Sequence, residues 1–145
     1  MTSAESHDEV RARVQASFDR QSIMHLIGAR LGDVTPGQVT IELPYRADLC
    51  QQNGYLHAGI STTIADSAGG YAAYSLFAPG EDVLSSEFKM NFLAPAGGER
   101  FVAQGRVLKA GRRLQVCQVE MHAWRGAEAT LCLVGLLTTV RVTPR

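Results

Sequence analysis

Hydrophobic and polar positions recur with different periods along the chain, and each change of period marks a new element. Over residues 8–18, Val10, Val14 and Phe18 recur at i, i+4 and i+8 behind an acidic first turn, which predicts a short amphipathic helix. An apolar stretch follows Ser22 and runs to Leu31, and Val34-Thr-Pro-Gly-Gln38 then supplies a strong turn signal. Beyond it Val39, Ile41 and Leu43 alternate with Thr40 and Glu42 as in a half-buried strand, so residues 28–44 are expected to form a hairpin. Residues 45–57 carry no period and are expected to form a loop that ends at His57.

Residues 58–77 are the one long helical candidate. At 100° per residue Ile60, Ile64, Ala68 and Tyr71 fall on one stripe. The opposite face holds Gly59, Thr62, Thr63, Asp66, Gly69, Gly70 and Ala73, nearly all small and one charged. Two adjacent glycines inside a helix cost about 1 kcal/mol each relative to alanine, so something must approach that face closely. The rest is strand-like. Phe88, Met90 and Phe92 alternate with Glu87, Lys89 and Asn91; Phe101, Ala103 and Val107 alternate with Val102, Gln104 and Arg106. Lys109-Ala-Gly-Arg-Arg113 is a hairpin turn centred on glycine, after which Cys117, Val119, Met121 and Ala123 alternate with Gln118, Glu120 and His122. Residues 129–140 are almost continuously apolar or small, which predicts a central strand covered on both faces. The order of helix, two strands, one long helix and four strands predicts an α+β fold. An antiparallel sheet would wrap one long central helix, with a short N-terminal helix beside it.

Composition narrows the function classes. A chain of 145 residues that is 46% hydrophobic builds one core, so residues 1–145 are read as a single domain with 1–19 as an N-terminal helical extension. Fourteen basic residues balance fourteen acidic ones, without the basic excess of a nucleic-acid binder, and a neutral chain favours self-association. Cys50, Cys117 and Cys132 are widely spaced and form no C-x-x-C, which argues against a disulfide framework or a zinc knuckle. His7, His25, His57 and His122 have no partners at ligand spacing, so no metal is expected, and no nucleophile-elbow motif is present. The polar start and the lack of a long apolar run predict a cytoplasmic protein that does not enter a membrane.

The most informative segment is Gln52-Asn-Gly-Tyr-Leu-His-Ala-Gly-Ile60, running into Ala65-Asp66-Ser67-Ala68. It resembles the signature of hotdog-fold acyl-CoA thioesterases of the PaaI-like, phenylacetic acid degradation branch. Further matches lie at 83–96, at 105–112 and in the apolar last strand, so the resemblance spans roughly residues 20–140. One departure stands out: the family usually has His-Gly-Gly, and this chain has His57-Ala58-Gly59. The resemblance implies hydrolysis of a small aryl or alkyl acyl-CoA by a homodimer or dimer of dimers. No cofactor is implied, because coenzyme A is part of the substrate. It further implies that Asp66 is nucleophile or general base, that Asn53 holds the water or thioester, and that His57 lies near the thioester carbonyl. Ser85 would assist the water; Ser86 is its rival, because a one-residue slip flips the face of a strand.

Elementary chemistry bears on the same residues. The start of a helix offers free N–H groups and the positive end of a dipole, so the amides of Ala58 and Gly59 suit an oxyanion hole. Asp66 is the only carboxylate of the long helix, and the small residues around it clear a groove; a solvated surface acid is the plain alternative. For Asn53 the alternative is a turn residue of an Asn-Gly pair, and for His57 a helix cap. Lys109, Arg112 and Arg113 suit either the phosphates of coenzyme A or a solvated hairpin tip. Asp66 lies eight residues beyond Ala58, roughly 12 Å along one helix. An attacking group and an oxyanion donor must both come within ~3 Å of one carbonyl, so two oppositely running helices from two chains are expected to share each site. Two other functions remain open on this sequence. Hydration or dehydration of an enoyl thioester would ordinarily use an Asp/His pair in another spacing, and a non-catalytic acyl-CoA-binding protein would not need Asp66.

Overall fold

The computed structural model describes residues 4–145. The first helix, α1 (His7–Arg20), starts at a capping box in which Ser6 and Glu9 each bond the other's backbone N–H, and it buries Val10, Val14 and Phe18 as the period predicts. Gln21 breaks the helix with extended backbone, and α2 (Ser22–Ile27) follows, closed by Gly28 in the left-handed region at φ 78. This second helix occupies the apolar stretch to which the sequence pattern assigned no element. The hairpin predicted over 28–44 is β1 (Arg30–Thr35) and β2 (Gln38–Pro44).

The long helix α3 (Ala58–Tyr74) ends at Tyr74 rather than Phe77. Ser75 stops it: its hydroxyl bonds back to the Ala72 carbonyl at 2.7 Å and accepts the Gly37 N–H at 2.8 Å, which ties the helix end to the β1–β2 turn. Strands β3 (Asp82–Phe92), β4 (Arg100–Ala110), β5 (Leu114–Arg125) and β6 (Glu128–Val142) complete one antiparallel sheet in the order β1-β2-β4-β5-β6-β3. This is the hotdog fold, an antiparallel sheet wrapped around a long helix, with α1 packed through Phe18 on Tyr71 of α3.

Glycines set how closely helix and sheet approach. A Cβ on Gly105 of β4 would fall 2.4 Å from the backbone of Ala68 and Gly69, and one on Gly69 would fall 2.6 Å from Leu137 and 2.8 Å from Val119. The helix backbone therefore lies directly on β4, β5 and β6. Gly70 differs, since a Cβ there would meet nothing within 4 Å. The small-residue face of the sequence thus divides in two: Gly69 meets the sheet, and Gly70 borders open space.

Strand β6 departs from expectation. Leu133 and Leu137 are buried under α3, but Leu136 on the other face is 53% exposed, because no second layer of this chain lies over it. The edge strand β3 has no buried residue at all. Phe88 and Phe92, paired opposite Leu137 and Leu133 and so on the α3 face of the sheet, are 50% and 53% exposed.

Candidate active site

The start of α3 and its mid-helix carboxylate open into two different cavities. At the helix start His57 is the N-cap, with φ −59 and ψ 135, and its Nδ1 accepts the Gly59 N–H at 2.8 Å. That bond places the ring proton of a neutral His57 on Nε2. It also engages one of the two amides that the sequence nominated for an oxyanion. The Ala58 N–H makes no hydrogen bond among the described residues. Ala58 lines a mostly apolar cavity of about 460 Å³ with Gln51, Leu56, Ser61, Phe92 and Cys132.

Asp66 sits two turns along. It is half-buried and accepts a hydrogen bond from the Ser85 hydroxyl at 2.6 Å. Burial raises its pKa above the ordinary carboxylate value, and the Ser85 bond pulls in the opposite direction. A β-bulge aims that hydroxyl. Between Ser85 and Glu87 the β3–β6 register slips, so Ser85 pairs with Thr139 on the helix side while Ser86 donates to the Thr138 carbonyl at 3.2 Å. Of the two candidate serines, Ser85 is the one that touches Asp66. Asp66 and Ser85 line a second cavity, of about 480 Å³, with Ser17, Gln21, Gly70 and Tyr71.

The other nominated residues lie further out. Asn53 stands on an exposed turn, its backbone N–H bonded to the side-chain oxygen of Gln51, and it lines neither cavity. Gln51, which sequence reasoning passed over because Asn-Gly is the stronger turn signal, lines the Ala58 cavity. The closure of its loop places it there: Cys50 bridges Leu56, and the Gln51 N–H reaches the Tyr55 carbonyl at 2.8 Å. Lys109, Arg112 and Arg113 are exposed around the β4–β5 turn, outside both cavities. The fully buried Gln115 holds that turn, donating to the Gly111 carbonyl at 3.0 Å and accepting from Thr139 at 2.9 Å.

The parts are those of acyl transfer to water. A carboxylate raised above its usual pKa is a stronger base, and an unpaired helix-start N–H beside an apolar cavity suits a developing oxyanion. Comparison with known proteins gives the class. The model of the thioesterase superfamily matches residues 53–130, a span that includes Asn53, His57, Asp66 and Ser85, and the chain belongs to that superfamily. Among solved structures, a thioesterase family protein from Silicibacter pomeroyi superposes with a TM-score of 0.91 at 42% identity, over 93% of this chain and 99% of that one. The PaaI protein of the E. coli phenylacetic acid degradation operon shares the fold with a TM-score of 0.85 at 16% identity, over 95% and 96% of the two chains. A 1,4-dihydroxy-2-naphthoyl-CoA hydrolase of Listeria monocytogenes is 26% identical over 68% of this chain and 80% of its own length. Among the described residues no helix is long and apolar enough to cross a membrane.

Proposed function

We propose that this protein is a cytoplasmic acyl-CoA thioesterase that releases a small aryl or alkyl acid and free coenzyme A. The observation that carries the reading is Asp66, a half-buried carboxylate facing a cavity and held by Ser85 in a thioesterase-superfamily fold. Asp66 takes a proton from water as oxygen adds to the thioester carbon. The Ala58 N–H receives the carbonyl oxygen as it gains charge, with the Gln51 amide beside it, and the carbon–sulfur bond then breaks to leave the acid and the thiol. His57 orients the helix start through Gly59. Lys109, Arg112 and Arg113, whose side chains bond nothing among the described residues, are available to the coenzyme's phosphates.

The working unit in this proposal is a homodimer, or a dimer of such dimers. Its support is the separation of Asp66 and Ala58 into two cavities of one chain, together with the unpaired β3 edge and its half-exposed Phe88 and Phe92. Pairing β3 with a second β3 about a two-fold axis covers those rings and sets the two α3 helices antiparallel, so that Asp66 of each approaches Ala58 of the other. The test is thiol release from a panel of aryl- and alkyl-CoA thioesters. Wild type should turn over at least one class, and Asp66→Asn should lower kcat at least ~10²-fold with the fold intact. An Asn variant that retains most activity removes Asp66 from the chemistry.

A further inference from the structure

The buried face of the sheet under α3 is apolar except along one line. On β5 the residues that follow Gln115 on that face are Cys117, Val119, Met121 and Ala123, and on β6 they include Leu133 and Leu137, all buried. Gln115 and Thr139 are the only buried polar side chains of the sheet among the described residues, and neither has any exposed surface. They stand opposite each other on β5 and β6, and Thr139 stands opposite Ser85 on β3. Directly paired residues share a face, so Gln115, Thr139 and Ser85 form one polar row across three strands. Hydrogen bonds tie this row down. Gln115 Nε2 donates to the Gly111 carbonyl at 3.0 Å, the Thr139 hydroxyl donates to Gln115 Oε1 at 2.9 Å, and the Ser85 hydroxyl donates to Asp66 at 2.6 Å. A buried amide costs stability unless it is bonded, and an apolar pair of similar shape would fill the same space without that requirement.

Resting on the thioesterase reading above, we infer that Gln115 and Thr139 are positioning residues for the Asp66 carboxylate, acting through Ser85. The need arises on β3. It is an edge strand with no buried residue, so its own packing does little to choose a register, and a slip of one residue would put Ser86 where Ser85 stands. The choice is made from the β6 side. Ser85 pairs with Thr139, Ser86 donates to the Thr138 carbonyl at 3.2 Å, and Glu87 pairs with Thr138, so the two threonines bracket the bulge. Gln115 takes the single proton of the Thr139 hydroxyl and thereby fixes the rotamer of the residue that Ser85 faces. Gln115 is fixed in turn by the β4–β5 turn, so an interior strand holds a serine on an edge that has no fixings of its own. The ionisable groups around this line leave the Ser85 bond unrivalled. Arg20 of α1 and Asp82 of β3 line the Asp66 cavity with opposite charges, and burial pushes the Tyr71 hydroxyl of α3 up, which keeps it neutral. On β5 burial pushes the Cys117 thiol up to about 11; β4 turns only uncharged Phe101, Ala103 and Gly105 inward. Arg141 of β6 is engaged by Glu81 at 3.6 Å and by the Phe77 ring. Among the described residues Ser85 alone hydrogen-bonds the Asp66 side chain.

The test uses the full-length protein and two readouts: the acid limb of the pH–rate profile, and the pKa of Asp66 followed by carbon NMR of its carboxyl group. Ser85→Ala removes the whole bond and sets the scale, an upward move of about one pH unit, that of one hydrogen bond to a charged group. Thr139→Val and Gln115→Met should each move both readouts upward by at least about 0.3 pH unit, a twofold change in the ionisation of Asp66. In a Ser85→Ala background neither should add a further move, because both act through that hydroxyl. Thr139→Ser keeps the hydroxyl and should stay at the wild-type values. Each single change strands one buried partner and so lowers Tm under a purely structural role as well. The double variant Thr139→Val with Gln115→Met removes both partners together, should show the same upward move, and decides the matter if a single variant does not fold. A lower Tm with both readouts at their wild-type values overturns the inference, and so does a move of equal size in the Ser85→Ala background. The NMR titration needs no turnover. A moved Asp66 pKa in a protein that hydrolyses no thioester would leave the row standing and remove the catalytic reading, whereas turnover with an unmoved pKa would do the reverse.

Discussion

The Ala58 amide can be deleted almost by itself, because it is the first N–H of a helix. Proline at that position loses a donor that has no intrahelical partner, and its fixed φ is already helical. Two local features of the structure admit it. The residue before a proline must be extended, and His57 has ψ 135. The Ala58 N–H bonds nothing among the described residues, so no intrachain bond is broken. Ala58→Pro should therefore leave stability within about 0.5 kcal/mol of wild type, the range of harmless surface changes. Gly59's N–H is engaged by His57 at 2.8 Å, which leaves Ala58 as the unengaged helix-start donor of the pair. Loss of one oxyanion-hole donor costs about 2.7–4 kcal/mol of transition-state stabilisation, or 10²–10³ in kcat. Thiol-release kinetics beside a thermal melt separate the two quantities. Wild-type kcat in a folded Ala58→Pro protein would refute the oxyanion assignment, and a large loss of Tm would refute the description of the helix start.

Three further outcomes are expected. Activity that needs ionised Asp66 falls as pH drops through its pKa; Ser85 stabilises the carboxylate, so Ser85→Ala should move the acid limb of the pH–rate profile upward, and an unmoved limb would separate Ser85 from Asp66. Burial raises the folded-state pKa of Asp66 above its unfolded value, so the stability linked to its protonation is complete at acid pH and is lost as pH rises through the folded pKa. Asp66→Asn should accordingly raise Tm at neutral pH by an amount that shrinks on acidification, and a lower Tm at neutral pH would contradict this. Asp66→Asn and Ala58→Pro chains, unfolded and refolded together, should recover roughly one quarter of wild-type activity per site, since half the dimers are mixed and each carries one intact site; mixed dimers confirmed by native mass measurement but inactive would put both groups on one chain.

What the sequence disclosed and withheld follows the range of the forces involved. Elements with several repeats of their period, α1, α3 and the strands, were legible because each turn or residue pair repeats the same burial decision. Helix α2 was not, since Ser22–Ile27 is too short to display a period and Gln21, neither glycine nor proline, breaks the chain without a local signal. Within the site, Asp66 was legible as a lone acid among small residues. The opposite fates of Gly69 and Gly70 were not, because adjacent helical positions diverge by 100° and only the tertiary approach of Leu137 and Val119 tells them apart. Ser85 and Ser86 differ by a bulge, which is a mismatch between two strands and has no signature in either alone. Gln51 and Asn53 differ by how a loop closes on itself.

The unpaired β3 edge carries the same reasoning one level up. Its alternation was visible in the sequence as Phe88, Met90 and Phe92 against Glu87, Lys89 and Asn91, the pattern of a strand with one covered face. In the folded chain that face meets the rest of the sheet's core on only one side, and both phenylalanine rings stay half-exposed. A pattern that specifies burial, on a strand whose own chain does not complete it, supports the dimer proposed above. It lies beside Ser85, on the strand that holds Asp66. The surface that calls for a partner and the carboxylate that lacks an oxyanion donor in its own cavity are therefore parts of one strand–helix unit, and dimerisation and catalysis should be lost together when the β3 edge is blocked.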